Sequence, residues 1–356
     1  MSAPSHAPDS AEQAEQNDAV NVAAQAQEVR GDSDNRSLRQ IAWQRLRKDK
    51  VAMVSGVVVV LLILAAVFAP LLAKWFGHPP TQFHQDLIEP NTGFPLKDPT
   101  LPPPSDGRIP VENLDSWGGI SSDHLLGVEP KTGRDLFSRI VYGAQISLLV
   151  AFLSTLLCVV IGTVLGIVAG YKGGWIDTLI SRAMDIFLAF PLMLFAIALV
   201  GVIPDGVLGL SGNGLRIGVI VFIIGFFNWP YIARIVRGQT LSLREREFVE
   251  AARSLGASNR HILFREILPN LVTPIIVYST LLIPTNILFE AALSFLGVGI
   301  NPPTPSWGKM LSDAVSMYEN APYFVIFPGL AIFITVLAFN LFGDGLRDAF
   351  DPKTSD

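Results

Sequence analysis

The sequence predicts an all-α polytopic membrane protein with six transmembrane helices. Of its 356 residues 50% are hydrophobic and only 16% are charged, against about 25% charged in an ordinary soluble chain. Mean hydropathy is +0.43. The apolar excess is collected into long uncharged runs, and a helix crossing about 30 Å of hydrocarbon needs about 20 such residues. A formal charge of −5 argues against a nucleic-acid partner. The single cysteine, Cys158, excludes a disulfide framework and a cysteine metal cluster.

Residues 1–36 read as a disordered tail: through residue 35 they hold no aromatic residue, no Leu and no Ile, and such a segment buries too little to offset its ordering entropy. Residues 37–50 interleave Leu38, Ile41, Trp43 and Leu46 with Arg39, Arg45, Arg47 and Lys48, the pattern of a basic amphipathic helix at a membrane surface. The first span is expected at 51–73. It exceeds a signal-peptide core, and fifty residues precede it.

The loop 74–140 holds ten of the 25 prolines, and proline at that density disfavours both helix interiors and strand ladders. An irregular cap is expected there. Its three histidines, His78, His84 and His124, match no familiar ligand spacing and read as ordinary surface residues, with no metal or cofactor implied. Spans two to six are expected within 141–343, the third beginning near Asp177 and the fifth running from Ile267 to Phe289. Residues 344–356 form a short tail. Lysine and arginine divide 18 to 8 between alternate loops, which places both termini in the cytosol.

Within the spans, Gly162, Gly166 and Gly170 form a small-xxx-small row suited to close helix packing. Arg182 and Asp185 stand three apart and can neutralise one another on one helix face. Phe190-Pro191 and Pro284 allow kinks. Glu290 lies in the outer half of span five; an ionisable residue there is a functional candidate by default, either lining a path or held by a buried partner.

Segment 241–269 carries too many charges to span. Phe248, Ala252 and Leu255 recur at helical spacing. Gly256 follows where a helix can end in a left-handed cap, and Ser258 stands where an N-cap starts another helix. Two short helices around a glycine corner, protruding into the cytosol, are therefore expected.

Glu250-Ala251-Ala252, then Gly256, then Leu268-Pro269 resemble the "EAA" loop of binding-protein-dependent ABC importer permeases. Three further stretches resemble the dipeptide, oligopeptide and nickel branch of that family. They are His124–Gly127 with Gly133–Arg139 and Tyr142–Leu148, Leu293–Gly297 with Asn301–Gly308, and Asn340–Asp348. The likeness spans about residues 38–352 and fits the second permease of the pair. Val128-Glu129-Pro130 departs from it, standing where the family usually has Thr-Asp.

The resemblance implies the type I ABC importer permease fold with a coupling-helix hairpin. It implies a second permease, two cytosolic ATPases, an extracytoplasmic substrate-binding protein and membrane lipid as partners. Glu250, Ala251, Ala252, Ser254, Leu255, Gly256, Ala257 and Ser258 would contact the ATPase. Phe190, Pro191, Met193, Asn286 and Glu290 are candidates for the translocation path. Peptides are the expected cargo, with nickel or another small solute as alternative. An autonomous carrier using Asp185 or Glu290 as a proton site would have no evident need for the hairpin. No G-x-x-x-x-G-K-[ST] loop occurs, and no nucleophile–base set is visible, so neither ATP hydrolysis nor other catalysis is expected of this chain.

Overall fold

In the computed structural model, which describes residues 38–98, 100, 113–202, 206–207 and 210–350, the uncharged runs are helices whose ends are set by local chemistry. The tail expected at 1–36 lies outside the described residues, as do 351–356. Helix α1 (Leu38–Lys48) gives way at Asp49, whose carboxylate accepts from the backbone N–H groups of Val51 (2.9 Å) and Ala52 (3.0 Å) and so caps α2 (Lys50–Val67). Ala42 and Leu46 of α1 are buried, while Trp43 faces outward.

The run expected as one span at 51–73 is two helices. It breaks at Phe68, and α3 (Ala69–Phe76) begins with Pro70 in its first turn, where a missing N–H costs nothing. Helix α4 (Leu136–Lys172) starts from Asp135, which accepts from the Ser138 N–H at 2.8 Å. At 37 residues it is about 55 Å long.

Span three is also broken. Helices α5 (Gly174–Ala189) and α6 (Leu192–Val202) are bent by 76° across Phe190-Pro191. Proline disfavours helical backbone at the residue before it, and Phe190 is accordingly extended (φ −79°, ψ 128°). A two-residue hairpin pair, β1 (Gly206–Val207) with β2 (Leu210–Ser211), leads into α7 (Gly212–Leu243). There follow α8 (Glu247–Ser254), α9 (Asn259–His261), a π-helical turn Ile262–Ile267, α10 (Leu268–Phe295), α11 (Trp307–Ala314) and α12 (Tyr323–Phe350).

Among the described residues, five helical stretches are long and apolar enough to cross a membrane: α2, α4, α7, residues Asn259–Phe295 and α12. Taken as one crossing, the bent pair makes six. The outward side chains of α2 include Val51, Val54, Val57, Val60, Leu61 and Leu64, all exposed. Lipid, not water, suits such a face.

Helices α4 and α7 form the closest pair. A Cβ on Gly162 would stand 2.8 Å from the Trp229 carbonyl, one on Gly166 2.7 Å from that of Ala233, and one on Gly170 2.8 Å from that of Arg237. The small-residue row therefore sets the approach of α7 along about two turns of α4. On another face of α4, Ala144, Leu148 and Ala151 pack with Ile283 and Ile287 of α10 and Phe339 of α12.

At the N-terminal end of α4 the described parts of the proline-rich loop, residues 77–98 and 113–135, form an irregular cap, tied by isolated bridges such as Val128↔Asp135. Glu129 is its hub. It accepts from Arg134 Nε (2.7 Å) and pairs with Arg139 Nε, while Arg139 Nη1 donates to the carbonyls of Pro80 and Pro303 at 3.3 Å each. Tyr323 at the start of α12 donates its hydroxyl to the Val128 carbonyl at 2.6 Å. The departure at Val128-Glu129 thus carries the cap's central ion pairs.

Candidate functional site

At the C-terminal end of α4, helices α8 and α9 form the hairpin that the charge pattern predicts. Helix α8 ends in a Schellman closure. The Ala257 N–H bonds the Ala252 carbonyl and the Gly256 N–H bonds that of Arg253, both at 3.0 Å. That geometry needs a left-handed residue, and Gly256 has φ +79°. Ser258 then caps α9 by accepting from the His261 N–H at 3.3 Å.

The hairpin's inner face is only partly the set at helical spacing, Phe248, Ala252 and Leu255. Val249, not Phe248, is fully buried, and it packs with Ile262, Ile267 and Leu271 beside Ile232 and Val236 of α7. Ala252 and Ala257 are half-buried against the same cluster. Phe248 is exposed, and Leu255 is 89% exposed at the corner. Glu250, Ala251, Ser254, Gly256 and Ser258 are exposed with it.

The hairpin is nevertheless fixed to the spans. Tyr171 donates to Asn259 Oδ1 at 2.9 Å, and Arg244 Nη1 donates to the Gly170 carbonyl at 3.0 Å. Arg237 binds Asp177 in a two-pronged pair, with Nη2 to Oδ2 at 2.7 Å. Asp185 finds its main partner in Arg234 (2.7 Å) on α7; Arg182, the partner expected from spacing, is 4.0 Å away.

The five path candidates separate. Phe190 and Pro191 are exposed at the broken span and Met193 is half-buried. Around them the phenylalanines cluster: Phe195 and Phe227 lie 4.6 Å apart between ring centroids, and Phe190 is 5.4 Å from Phe195. Asn286 and Glu290, by contrast, are fully buried between helices. Asn286 donates to the Thr155 hydroxyl at 2.8 Å, and Glu290 accepts from Ser147 and Ser294 at 2.7 Å each. In this conformation the two side chains tie helices together: Asn286 and Glu290, the latter with Ser294, on α10 meet Thr155 and Ser147 on α4.

The three loop histidines, unrelated in spacing, are brought together in the cap. Their ring centroids lie 4.6–5.1 Å apart. His124 is buried and not on the surface as expected. Its Nδ1 pairs with Asp135 at 2.9 Å. Burial pushes the Asp135 carboxyl up, but hydrogen bonds from His124 and Ser138 outweigh it and hold the group below the usual carboxylate range. Burial, with His124 and His78 adding, pushes the pKa of His84 down. The one signal in the sequence was compositional: three of the five histidines fall in one loop.

Broken and unbroken apolar spans, a charged cap and a protruding hairpin define a multi-pass membrane component. The chain belongs to the family of binding-protein-dependent transport system inner membrane components, which matches residues 162–356. Residues 37–103 match the N-terminal TM domain of oligopeptide transport permease C. A dipeptide transport system permease protein, DppC of Alkalihalophilus pseudofirmus, is 42% identical over 88% of this chain and 89% of its own length. The glutathione transport system permease protein GsiD of Escherichia coli O6:K15:H31 is 42% identical over 87% of this chain and 89% of its own. Among solved structures, a chain of the inward-facing MetNI methionine ABC transporter (CY5 native crystal form) overlays with TM-score 0.49 at 20% identity, covering 60% of this chain and 97% of that one. The chain is a permease subunit of an ATP-driven importer.

Proposed function

We propose that this chain is one of two permeases in a peptide importer, pairing with a second permease, two cytosolic ATPases and an extracytoplasmic binding protein. The names of the relatives, one for dipeptides and one for the tripeptide glutathione, support di- or oligopeptides as cargo. Both termini and the hairpin lie in the cytosol on the lysine and arginine count. ATP is hydrolysed by the partner subunits and not by this chain. The broken span with Phe190, Pro191 and Met193 contributes to the path.

One observation carries the coupling role. The hairpin corner presents Leu255 and Gly256 to solvent while its opposite face is locked onto α7. An exposed leucine on a rigid corner fits a groove of a partner, and movement of that partner passes directly to α7 and α10. Glu250, Ala251, Ser254 and Ser258 flank the contact, with Ala252 and Ala257 spacing the corner from the spans.

Gly256→Leu tests this in proteoliposomes holding the full transporter. No atom lies within 4 Å of a Cβ built at Gly256, so the fold meets only the left-handed backbone cost of roughly 1–2 kcal/mol. Membrane insertion and pairing with the second permease are expected to survive. Peptide uptake is expected to collapse, with the ATPases lost on purification or hydrolysing ATP without transport. Wild-type uptake at wild-type expression would refute the coupling role.

A further inference from the structure

We propose that the cap holds a divalent transition-metal ion, of the zinc class, bound by His78, His84, His124 and Asp123. The ion would staple the segment leaving α3 to the segment entering α4. Ligand atoms of His78, Asp123 and His124 all lie within 4.8 Å of one another. His78 Nε2 is 3.3 Å from Asp123 Oδ1, and His124 Nε2 is 3.9 Å from Asp123 Oδ2. Two donors on one tetrahedral zinc at about 2.0–2.1 Å stand about 3.3 Å apart, so small side-chain movements close the set.

Two further observations point to a ligand. His84 Nε2 is buried without any hydrogen-bond partner, beside rings centred 4.9 and 5.1 Å away. An orphaned buried nitrogen is costly unless something occupies it. His124 also has the arrangement typical of zinc-bound histidine: Nδ1 engages the buried Asp135 carboxylate and Nε2 points to the cluster. Asp135 is in turn fixed as the N-cap of α4, so the metal and that helix share one anchoring residue.

Three imidazoles and one carboxylate fill four positions, which is a closed, structural type of site. Imidazole donors favour Zn2+, Ni2+ or Cu2+ over Mg2+ or Ca2+. The alternative is a hydrogen-bonded histidine cluster with no metal.

The test uses the full transporter in detergent, stripped with chelator, then titrated with ZnCl2 and separately with Co2+, with MgCl2 as control. Wild type is expected to retain about one Zn2+ per copy of this chain and to give the visible spectrum of tetrahedral Co2+. Proteolytic nicking within residues 77–135 should slow when Zn2+ is added. Asp123→Asn, at a side chain 77% exposed, leaves folding undisturbed and should weaken retention by at least about tenfold, since loss even of an outer-shell partner costs 10- to 100-fold. His84→Gln should do the same. Equal retention by wild type and both variants, or no retention by wild type, would overturn the site. Should His84→Gln fail to assemble, Asp123→Asn decides.

Discussion

The cap holds Glu129, Asp135 and Arg139 at 1% exposure or less, whereas the hairpin at the other end of α4 leaves Leu255 89% and Phe264 67% exposed. Both regions are irregular connections between spans, yet they treat side chains in opposite ways. In the cap, charge is buried and every central charge has a partner: Glu129 with Arg134 and Arg139, Asp135 with His124. In the hairpin, hydrocarbon is left outside while a small interior of Val249, Ile262 and Ile267 anchors the corner. A region whose polar groups are satisfied internally is finished within the chain. A rigid region with exposed apolar side chains is completed by another surface.

Removing one partner from the cap's ion-pair hub is expected to have the largest effect. Glu129→Ala leaves Arg139 buried without its carboxylate, and breaking such a pair costs about 3–5 kcal/mol. The yield of monodisperse transporter should fall, and its thermal midpoint should drop clearly below wild type. An unchanged midpoint would mean that the hub adds nothing to the fold, and the contrast with the hairpin would fail on that side.

Leu255→Ser probes the other side. The side chain touches little within the chain, so stability should move by no more than about 0.5 kcal/mol. Burying a leucine at an interface is worth about 1.5–3 kcal/mol, so affinity for the ATPases should fall roughly ten- to hundredfold. Titration of purified ATPase onto permease-containing nanodiscs measures this. A loss of stability with unchanged affinity would place Leu255 among the internal contacts after all.

The two ends also differ in how far the sequence discloses them. The hairpin was legible because its signals are local: charges that stop a span, a glycine after a helix and a serine before the next. Only its facing was not legible. Helix α8 has eight residues, with apolar side chains at both Phe248 and Val249, so periodicity alone could not choose the buried face. The cap was illegible for the opposite reason. Glu129 with Arg139, and His78 with His124, meet through a loop rich in proline, where no period links residue number to neighbourhood. The same holds for Glu290. Its charge advertised function, but its two serine partners lie on α4 and on its own helix, and only the packing reveals that it is enclosed.

The smallest effect is expected at Glu250, and it sharpens the comparison because the residue is charged, like Glu129, but sits in the hairpin. Glu250 is exposed on α8, one position beyond the buried Val249. An exposed ion pair with a partner is worth about 0.2–1 kcal/mol, because water screens both charges and long side chains must be ordered to form it. Glu250→Ala should therefore leave the thermal midpoint unchanged and weaken ATPase binding by about two- to fivefold. The weakening should shrink further as salt is raised, since screening shortens the reach of any charge contact. Leu255→Ser, acting through apolar burial, should keep its deficit at high salt. Running both variants through the same titration at low and high ionic strength separates the two contributions. A salt-independent loss at Glu250 as large as that at Leu255 would show that the carboxylate is enclosed in the interface, and that burial of paired charge is not confined to the cap.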